Sequence, residues 1–386
     1  MFHISTPEAI KRGRTTDVYF SRTKEVLVAK GVEKNVTAEV TCGSLPAGYP
    51  WGILAGVEEV AELFEGYEVD VYSLQEGAVF YPREPVVRIE GEYSVFCELE
   101  TPLLGLLCQA SGIATKTARM KKLVGDRSLL SFGIRRMHPA IAPMIDRAAY
   151  IGGADGFSGV AAEEITGLKA SGTMPHSLII TVGDQVKAWR YFDEVLAKDV
   201  PRIALVDTYY DEKVESIMAA DALKNLHGVR LDTPGSRRGD MKEIADEVRW
   251  ELDIRGHEDV KIIVSGGVNE DAIKELTNVD GFGIGTALSA ARTVDFAMDI
   301  VEMEGKPVAK RGKLGGAKEV YRCPECMRGK LMPLRGSRKS SPVCECGSRM
   351  KSSLQPLISK GEVAAELPGV EEIKKYVSSQ TIKLEL

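Results

Sequence analysis

Ile262-Ile263-Val264-Ser265-Gly266-Gly267 and Gly281-Phe282-Gly283-Ile284-Gly285-Thr286 are two apolar runs that stop at glycine, and their reading decides the fold. A strand ending in Ser-Gly-Gly lets the backbone approach an anion closely. Asn269-Glu270-Asp271 then opens a helix whose first N–H groups face the same space. Taken alone, Gly283-Ile284-Gly285 reads as a tight strand-to-helix turn. Two such ends, separated only by a helical stretch from Asp271 to Thr277, match the phosphate site that (β/α) barrels build from the loops after adjacent late strands.

Working outward, strand, polar end and helix repeat through Leu129-Leu130-Ser131-Phe132-Gly133, Gly153-Ala154-Asp155-Gly156, Ile203-Ala204-Leu205-Val206-Asp207-Thr208 and Val229-Arg230-Leu231-Asp232-Thr233. Alternation of short strands with helices implies a parallel sheet and favours an irregular (β/α) barrel of six or seven strands. The fold class is therefore α/β, with three parts: an N-terminal α+β domain over 1–110, the barrel over 111–287, and a C-terminal region over 288–386. The first is strand-like from Ala29 to Val95, with one helix at Val57–Phe64. A small-residue-rich helical pattern from Pro102 to Lys122 connects it to the barrel. Beyond the barrel, a helix is expected from Leu288 through Met303, then a basic, Gly-rich linker (Pro307 to Gly316). A tail with a helix at Val370–Val377 and a closing strand is expected to return to the N-terminal domain.

At 386 residues the chain is long enough for two or three domains and a large core. Its formal charge of -6 argues against general nucleic-acid binding, which needs a basic stripe. No apolar run is long enough to span a bilayer. Met1-Phe2-His3-Ile4 leads directly into a helix-start signal, Thr6-Pro7-Glu8, so the expectation is no signal peptide, no membrane and a cytoplasmic location.

Seven cysteines fit the same compartment. Cys42, Cys97 and Cys108 are scattered and read as buried or half-buried thiols. Cys323-Pro324-Glu325-Cys326 and Cys344-Glu345-Cys346 form two close pairs inside a polar element at 320–350, which suits tetrahedral, structural zinc. A redox Cys-x-x-Cys would sit in a βαβ unit, and a pair of disulfides would need an oxidising compartment.

Asp207-Thr208 and Arg230-x-Asp232 end successive strands, so their side chains should converge beside the phosphate cradle. Paired carboxylates there suit a magnesium-bound diphosphate or a ribose diol. Each has a plainer reading: Asp207 as a helix cap, Arg230–Asp232 as an internal ion pair, Arg135-Arg136 as a solvated pair. His176, in Ser171-Gly172-Thr173-Met174-Pro175-His176-Ser177, reads equally as a capping or surface histidine.

Thr16-Asp17-Val18-Tyr19, Ser131-Phe132-Gly133-Ile134-Arg135-Arg136, Gly172-Thr173-Met174-Pro175-His176-Ser177, Val206-Asp207-Thr208-Tyr209, Val229-Arg230-Leu231-Asp232 and the two glycine ends, in this order, resemble the nicotinate phosphoribosyltransferase family of type II phosphoribosyltransferases. The resemblance implies transfer of phosphoribose from phosphoribosyl pyrophosphate to the ring nitrogen of nicotinate, giving nicotinate mononucleotide and pyrophosphate in NAD biosynthesis. It implies that Phe132 and a neighbouring subunit's Tyr19 stack on the pyridine, which makes the active unit at least a homodimer. Arg135 meets a carboxylate or phosphate, and Asp155 lies beside the ring. Thr173 belongs to the substrate-binding set. Arg230 and Asp232 hold ribose and pyrophosphate, with Asp207 near magnesium. Ser265, Gly266, Gly267, Gly285 and Thr286 bind the 5′-phosphate. It further implies that His176 is transiently phosphorylated by ATP. The four-cysteine element is not a general feature of that family. Alternatives are a nicotinamide or quinolinate phosphoribosyltransferase, another phosphate-binding barrel enzyme, or a binding module with an inactive barrel, in which the cysteine element, with Arg335, Arg338 and Lys339, contacts a nucleic acid or protein.

Overall fold

The computed structural model describes residues 2–335, 340–364 and 366–386. Arg338 and Lys339, the nucleic-acid contacts of the binding-module reading, lie outside the described residues. The chain divides into two compact units, Met1–Ala118 with Ala291–Leu386, and Arg119–Ala290.

The first unit opens with helices α1 (Pro7–Lys11) and α2 (Val18–Lys30), followed by β1 (Asn35–Cys42), β2 (Gly52–Ile53), α3 (Val57–Phe64), β3 (Asp70–Leu74), β4 (Val79–Phe80), β5 (Val87–Glu92) and α4 (Tyr93–Phe96). Thr6 caps α1 through its side chain, as the Thr-Pro-Glu signal predicts. In α3 the buried residues Val57, Val60, Ala61 and Phe64 fall on one helical stripe. α5 (Glu100–Val124) is continuous, and the unit boundary falls within it.

The second unit carries β6 (Ser128–Ser131), α6 (Ala142–Ile151), β7 (Gly156–Phe157), α7 (Ala162–Thr166), α8 (His176–Val182), α9 (Gln185–Val195), β8 (Ile203–Leu205), α10 (Glu212–Ala222), β9 (Gly228–Leu231), α11 (Met241–Asp253), β10 (Lys261–Val264), α12 (Glu270–Glu275), β11 (Gly281–Ile284) and α13 (Thr286–Ser289). Its six strands are all parallel, in the order β7-β6-β11-β10-β9-β8. That is the cyclic order of a barrel cut open between β7 and β8, so the sheet is a curled half-barrel rather than a closed ring. The long segment between those two strands holds α7, α8 and α9, and with them His176.

The chain then returns to the first unit through β12 (Phe296–Met303), β13 (Lys306–Pro307), β14 (Lys318–Arg322), β15 (Gly329–Pro333), β16 (Lys351–Ser352), β17 (Leu354–Ser359), β18 (Glu362–Val363) and α14 (Val370–Thr381). The expected helix from Leu288 through Met303 is not formed beyond α13. β12 instead pairs antiparallel with β1 at the heart of a seven-stranded sheet ordered β13-β12-β1-β5-β3-β17-β18. A bulge explains the misreading. Thr37 faces Glu302 and Ala38 faces Ile300, which leaves Val301 as the extra residue and breaks the period of two. The expected strand of the tail precedes its helix: β17 pairs with β3, and α14 follows.

One face of this sheet builds the core with Val36, Ala38, Val40, Ile89, Val71 and Met298. The other is covered by polar groups in pairs. Buried Glu39 accepts from the backbone N of Lys318 at 2.6 Å and from its Nζ at 2.8 Å. Glu302 accepts from Ala317 N at 2.9 Å and pairs with Arg335 Nε at 3.0 Å. Among the described residues no helix is long and apolar enough to cross a membrane.

Candidate active site

In a parallel α/β sheet the strand C-termini all open on one side, and each strand of the half-barrel delivers polar groups there. β8 ends at Asp207 and Thr208, β9 at Asp232 and Thr233, β10 at Ser265-Gly266-Gly267, and β11 at Gly285-Thr286. Gly266 and Gly267 have φ of 82° and 79°, a left-handed pair that only glycine adopts cheaply. Asn269 caps α12 by accepting from Asp271 N and Ala272 N. Gly283 exists for Phe132: a Cβ there would lie 2.5 Å from Phe132 Cδ2, so the ring lies directly on the β11 backbone.

The acidic centre is tied together by short bonds. The Asp207 side chain, 2% exposed, accepts from Asp232 N at 2.6 Å, and its Oδ2 lies 2.9 Å from Thr233 Oγ1. Its Oδ1 is buried without a hydrogen-bond partner. Burial pushes the Asp207 carboxyl above the ordinary range, against the opposing pull of those bonds and of His176. Asp232 accepts from Ser265 Oγ at 2.7 Å and lies 3.5 Å from Arg230 Nη2. Burial lowers the Arg230 pKa, while Asp232 and Asp207 raise it.

His176 stands at the start of α8 and one-third exposed, facing this centre. Its Nδ1 is 3.1 Å from Thr208 Oγ1, and its Nε2 is 3.6 Å from Asp207 Oδ1 and 3.8 Å from Asp232 Oδ2. The carbonyl of Met174, in the same loop, accepts from Arg230 Nη2 at 3.4 Å, and Thr173 Oγ1 lies 3.5 Å from that carbonyl. The plainer readings thus resolve in part. Asp207 caps no helix, because Asp211 caps α10. Arg230 and Asp232 do pair. Arg135 and Arg136 are exposed on the turn after β6.

Two residues stand apart. Asp155 is not brought to the strand C-termini: its Oδ2 accepts from Leu129 N at 2.9 Å and from Lys121 Nζ at 2.8 Å, near the start of β6, which corrects the expectation that it lies beside the ring. Tyr19 belongs to the first unit, on α2, more than half exposed, with its hydroxyl donating to Asp17 Oδ2 at 3.2 Å.

Four further residues, unmarked by any strand-end pattern, support the site. Glu215 is fully buried and accepts from the N–H groups of Thr208, Tyr209 and Tyr210 at 3.1, 2.7 and 2.8 Å. Glu212 Oε1 shares the Thr233 hydroxyl with Asp207 Oδ2. Both look like ordinary acidic residues of a first helical turn, so nothing in the sequence marks them. Asp146, whose pKa burial raises, accepts from Ser131 Oγ at 2.8 Å and Gly159 N at 2.9 Å. Arg238 donates to Gly266 O at 3.2 Å. A basic pair in a Gly/Pro loop after a strand end, Pro234-Gly235-Ser236-Arg237-Arg238, was a readable signal for the last.

In the first unit, the Sγ atoms of Cys323, Cys326, Cys344 and Cys346 all lie within 4.8 Å of one another. The Cys323–Cys346 and Cys326–Cys344 separations are 3.5 Å, far longer than a disulfide. Four thiolates around one zinc at about 2.3 Å would stand roughly 3.8 Å apart, so the donor set fits that ion. Burial raises the Cys323 pKa, but donation from the backbone of Cys326 and Glu325 and from neighbouring thiols brings it to about 7.

A parallel half-barrel with a glycine phosphate cradle and a carboxylate–arginine–histidine centre defines a class of phosphate-handling transferase. Family models described as the quinolinate phosphoribosyl transferase N-terminal and C-terminal domains match residues 17–111 and 113–299. A solved structure described as nicotinate-nucleotide pyrophosphorylase from Pyrococcus furiosus is 56% identical, covers 100% of this chain and 99% of its own, and superposes with a TM-score of 0.96. The chain belongs to the type II phosphoribosyltransferase family. The nicotinate phosphoribosyltransferase of Bacillus subtilis is 29% identical over 361 residues, covering 80% of this chain and 72% of the relative. Human nicotinic acid phosphoribosyltransferase shares the fold, with a TM-score of 0.77 at 20% identity over 96% of this chain and 94% of its own.

Proposed function

We propose that this enzyme transfers phosphoribose from phosphoribosyl pyrophosphate to the ring nitrogen of nicotinate, in NAD biosynthesis, and couples the transfer to ATP hydrolysis through His176. The observation that carries the reading is the convergence of His176, Asp207, Arg230, Asp232 and Ser265 at the ends of consecutive strands, next to the Gly266-Gly267 cradle.

The pyridine nitrogen attacks C1′, and pyrophosphate leaves with the bonding electron pair. The exposed edge of Asp232 and the buried carboxylate of Asp207 stabilise the positive charge that develops on the ribose, while Arg230 receives the departing diphosphate. The Gly266-Gly267 and Gly285-Thr286 backbone holds the 5′-phosphate. Phe132 offers a face for the pyridine, and Tyr19 of a neighbouring subunit supplies the second in a homodimer or larger homo-oligomer. Arg135 takes the carboxylate. Asp207 Oδ1, buried and unpartnered, and Asp232 suit a magnesium ion, which would neutralise phosphate charge there.

In the tautomer that donates Nδ1–H to Thr208 Oγ1, His176 Nε2 carries the lone pair. That nitrogen would accept the phosphoryl group from ATP. The four cysteines would hold a zinc ion in a structural role.

The test is product detection with phosphoribosyl pyrophosphate, with and without ATP, against nicotinate, nicotinamide and quinolinate in parallel. The expected product is nicotinate mononucleotide, stimulated by ATP. A His176→Ala protein that keeps both ATPase activity and ATP-stimulated transfer would refute the phosphohistidine. The quinolinate-type domain models favour a second reading, transfer to quinolinate with release of carbon dioxide. Against it, β7 ends in Ser158-Gly159 and brings no cation for a second carboxylate. Carbon dioxide release in the same assay decides between them.

A further inference from the structure

The loop after β8 is held from below by an anion of the protein's own. Three successive N–H groups, those of Thr208, Tyr209 and Tyr210, converge on the Glu215 carboxylate, Thr208 on Oε2 and the two tyrosines on Oε1. Consecutive N–H groups of this kind form a concave nest that binds anions. Here the nest is filled internally by a side chain that is 0% exposed. The same first turn of α10 supplies Glu212, whose Oε1 and Asp207 Oδ2 share the single hydroxyl of Thr233.

We propose that Glu215 is a positioning residue for His176: by fixing the backbone of Thr208 it sets Thr208 Oγ1, and thereby the orientation of the imidazole presented to the carboxylates. The role rests on the reading of His176 given above, and reaches it only through the 3.1 Å contact of Nδ1 with Thr208 Oγ1. A carboxylate is required because all three partners are donors. Any neutral side chain of the same length meets at least one of them with a hydrogen.

Glu215→Gln isolates the effect. Placing the amide oxygen at the Oε1 position keeps the bonds from Tyr209 and Tyr210 and sets the amide NH2 against the Thr208 N–H. The substitution therefore releases the loop residue whose side chain lies within hydrogen-bond distance of His176. Two measurements on the full-length protein test it. Steady-state transfer should show kcat reduced roughly 10- to 100-fold, as for a sub-ångström to 1 Å misplacement of a reacting group, with KM for the pyridine acid within about twofold. Long-range 15N–1H spectra of histidine-labelled protein should show the His176 ring nitrogens shifting while the other four of the five histidines stay in place.

Unchanged kcat together with an unmoved His176 signature in folded Glu215→Gln overturns the proposal, and so does an equal loss accompanied by shifts of all five histidines. If Glu215→Gln does not fold, Thr208→Val answers instead. It leaves the Thr208 N–H bonded to Glu215 and deletes only Oγ1, and must move the His176 signature alone; an unmoved signature overturns the proposal. The spectra need no substrate. Absence of transfer by the wild-type protein would therefore sink the functional reading while leaving the positioning role to be decided by the spectra.

Discussion

Gly283→Ala moves one wall of the site by a calculable amount. The added Cβ would stand 2.5 Å from Phe132 Cδ2, 2.6 Å from Cε2 and 3.1 Å from Ser265 Cβ. Carbon pairs settle at about 3.5–4.0 Å, so the Phe132 ring must retreat by roughly 1 Å. Gly283 does not have a positive φ, so alanine fits the backbone and the ring bears the change. Offset stacking contributes about 0.5–1.5 kcal/mol beyond burial. Losing it raises KM for nicotinate about 2- to 12-fold while KM for phosphoribosyl pyrophosphate stays within twofold. Overpacking costs about 1–3 kcal/mol of stability in addition. Gly281→Ala is the control: it overpacks the same strand at its opposite end, 3.0 Å from Ser128 Cβ, away from the mouth. Steady-state kinetics with each substrate varied, alongside thermal unfolding of all three proteins, makes the comparison. A folded Gly283→Ala enzyme with unchanged nicotinate KM, or a Gly281→Ala enzyme with the same KM change, would refute the placement of the pyridine on Phe132.

Arg322→Met should destabilise the first unit by about 3–5 kcal/mol, because it leaves Glu84 buried after removing a guanidinium that bonds both its oxygens and the carbonyls of Val79 and Met327. Hydrogen exchange across β4 and β14 reads this out, and the double variant with Glu84→Leu should be less damaged than the single. In protein loaded with zinc, chelation should lower protection in the same segments, since Arg322 adjoins Cys323 and Tyr81 Oη donates to Met327 O at 3.0 Å; protection unchanged by chelator in protein shown to have lost zinc would separate the cluster from the unit's stability. Burial, with the Asp299 charge adding to it, raises the Glu100 carboxyl to about 7. The folded state therefore holds a proton that the unfolded chain releases near 4.5, and the contribution present below pH 4.5 is lost as pH rises to 7, of order 1–3 kcal/mol. Glu100→Gln should flatten that slope in urea titrations between pH 5 and 8; an unaltered slope would exclude Glu100 as its source.

The site was legible in the sequence to the extent that chemistry sits at strand ends. Asp207, Asp232, Ser265 and Gly266 each follow a short apolar run, and a parallel sheet brings such positions to one edge whatever the details of packing. His176 was marked by its loop. Asp155 shows the limit of the same logic. It looks like the polar end of a strand, Gly153-Ala154-Asp155-Gly156, but it precedes β7, so the side chain meets Lys121 and the Leu129 amide. Glu212 and Glu215 were invisible because acidic residues in a first helical turn are commonplace, and only the fold of the preceding loop shows that one of them is enclosed by three amides.

The sequence by itself determined the alternation of strands and helices, the glycine ends and the cysteine pairs, because these depend on local backbone freedom, periodicity and spacing. The tertiary structure decided what depends on partners far along the chain. It cut the ring between β7 and β8 and drew β12 into the first unit's sheet against β1. It also buried the Glu215 carboxylate beneath Thr208. A strand's partner and a carboxylate's burial are settled by groups that local pattern does not contain, and that is the physical reason the second set could be read only from the folded molecule.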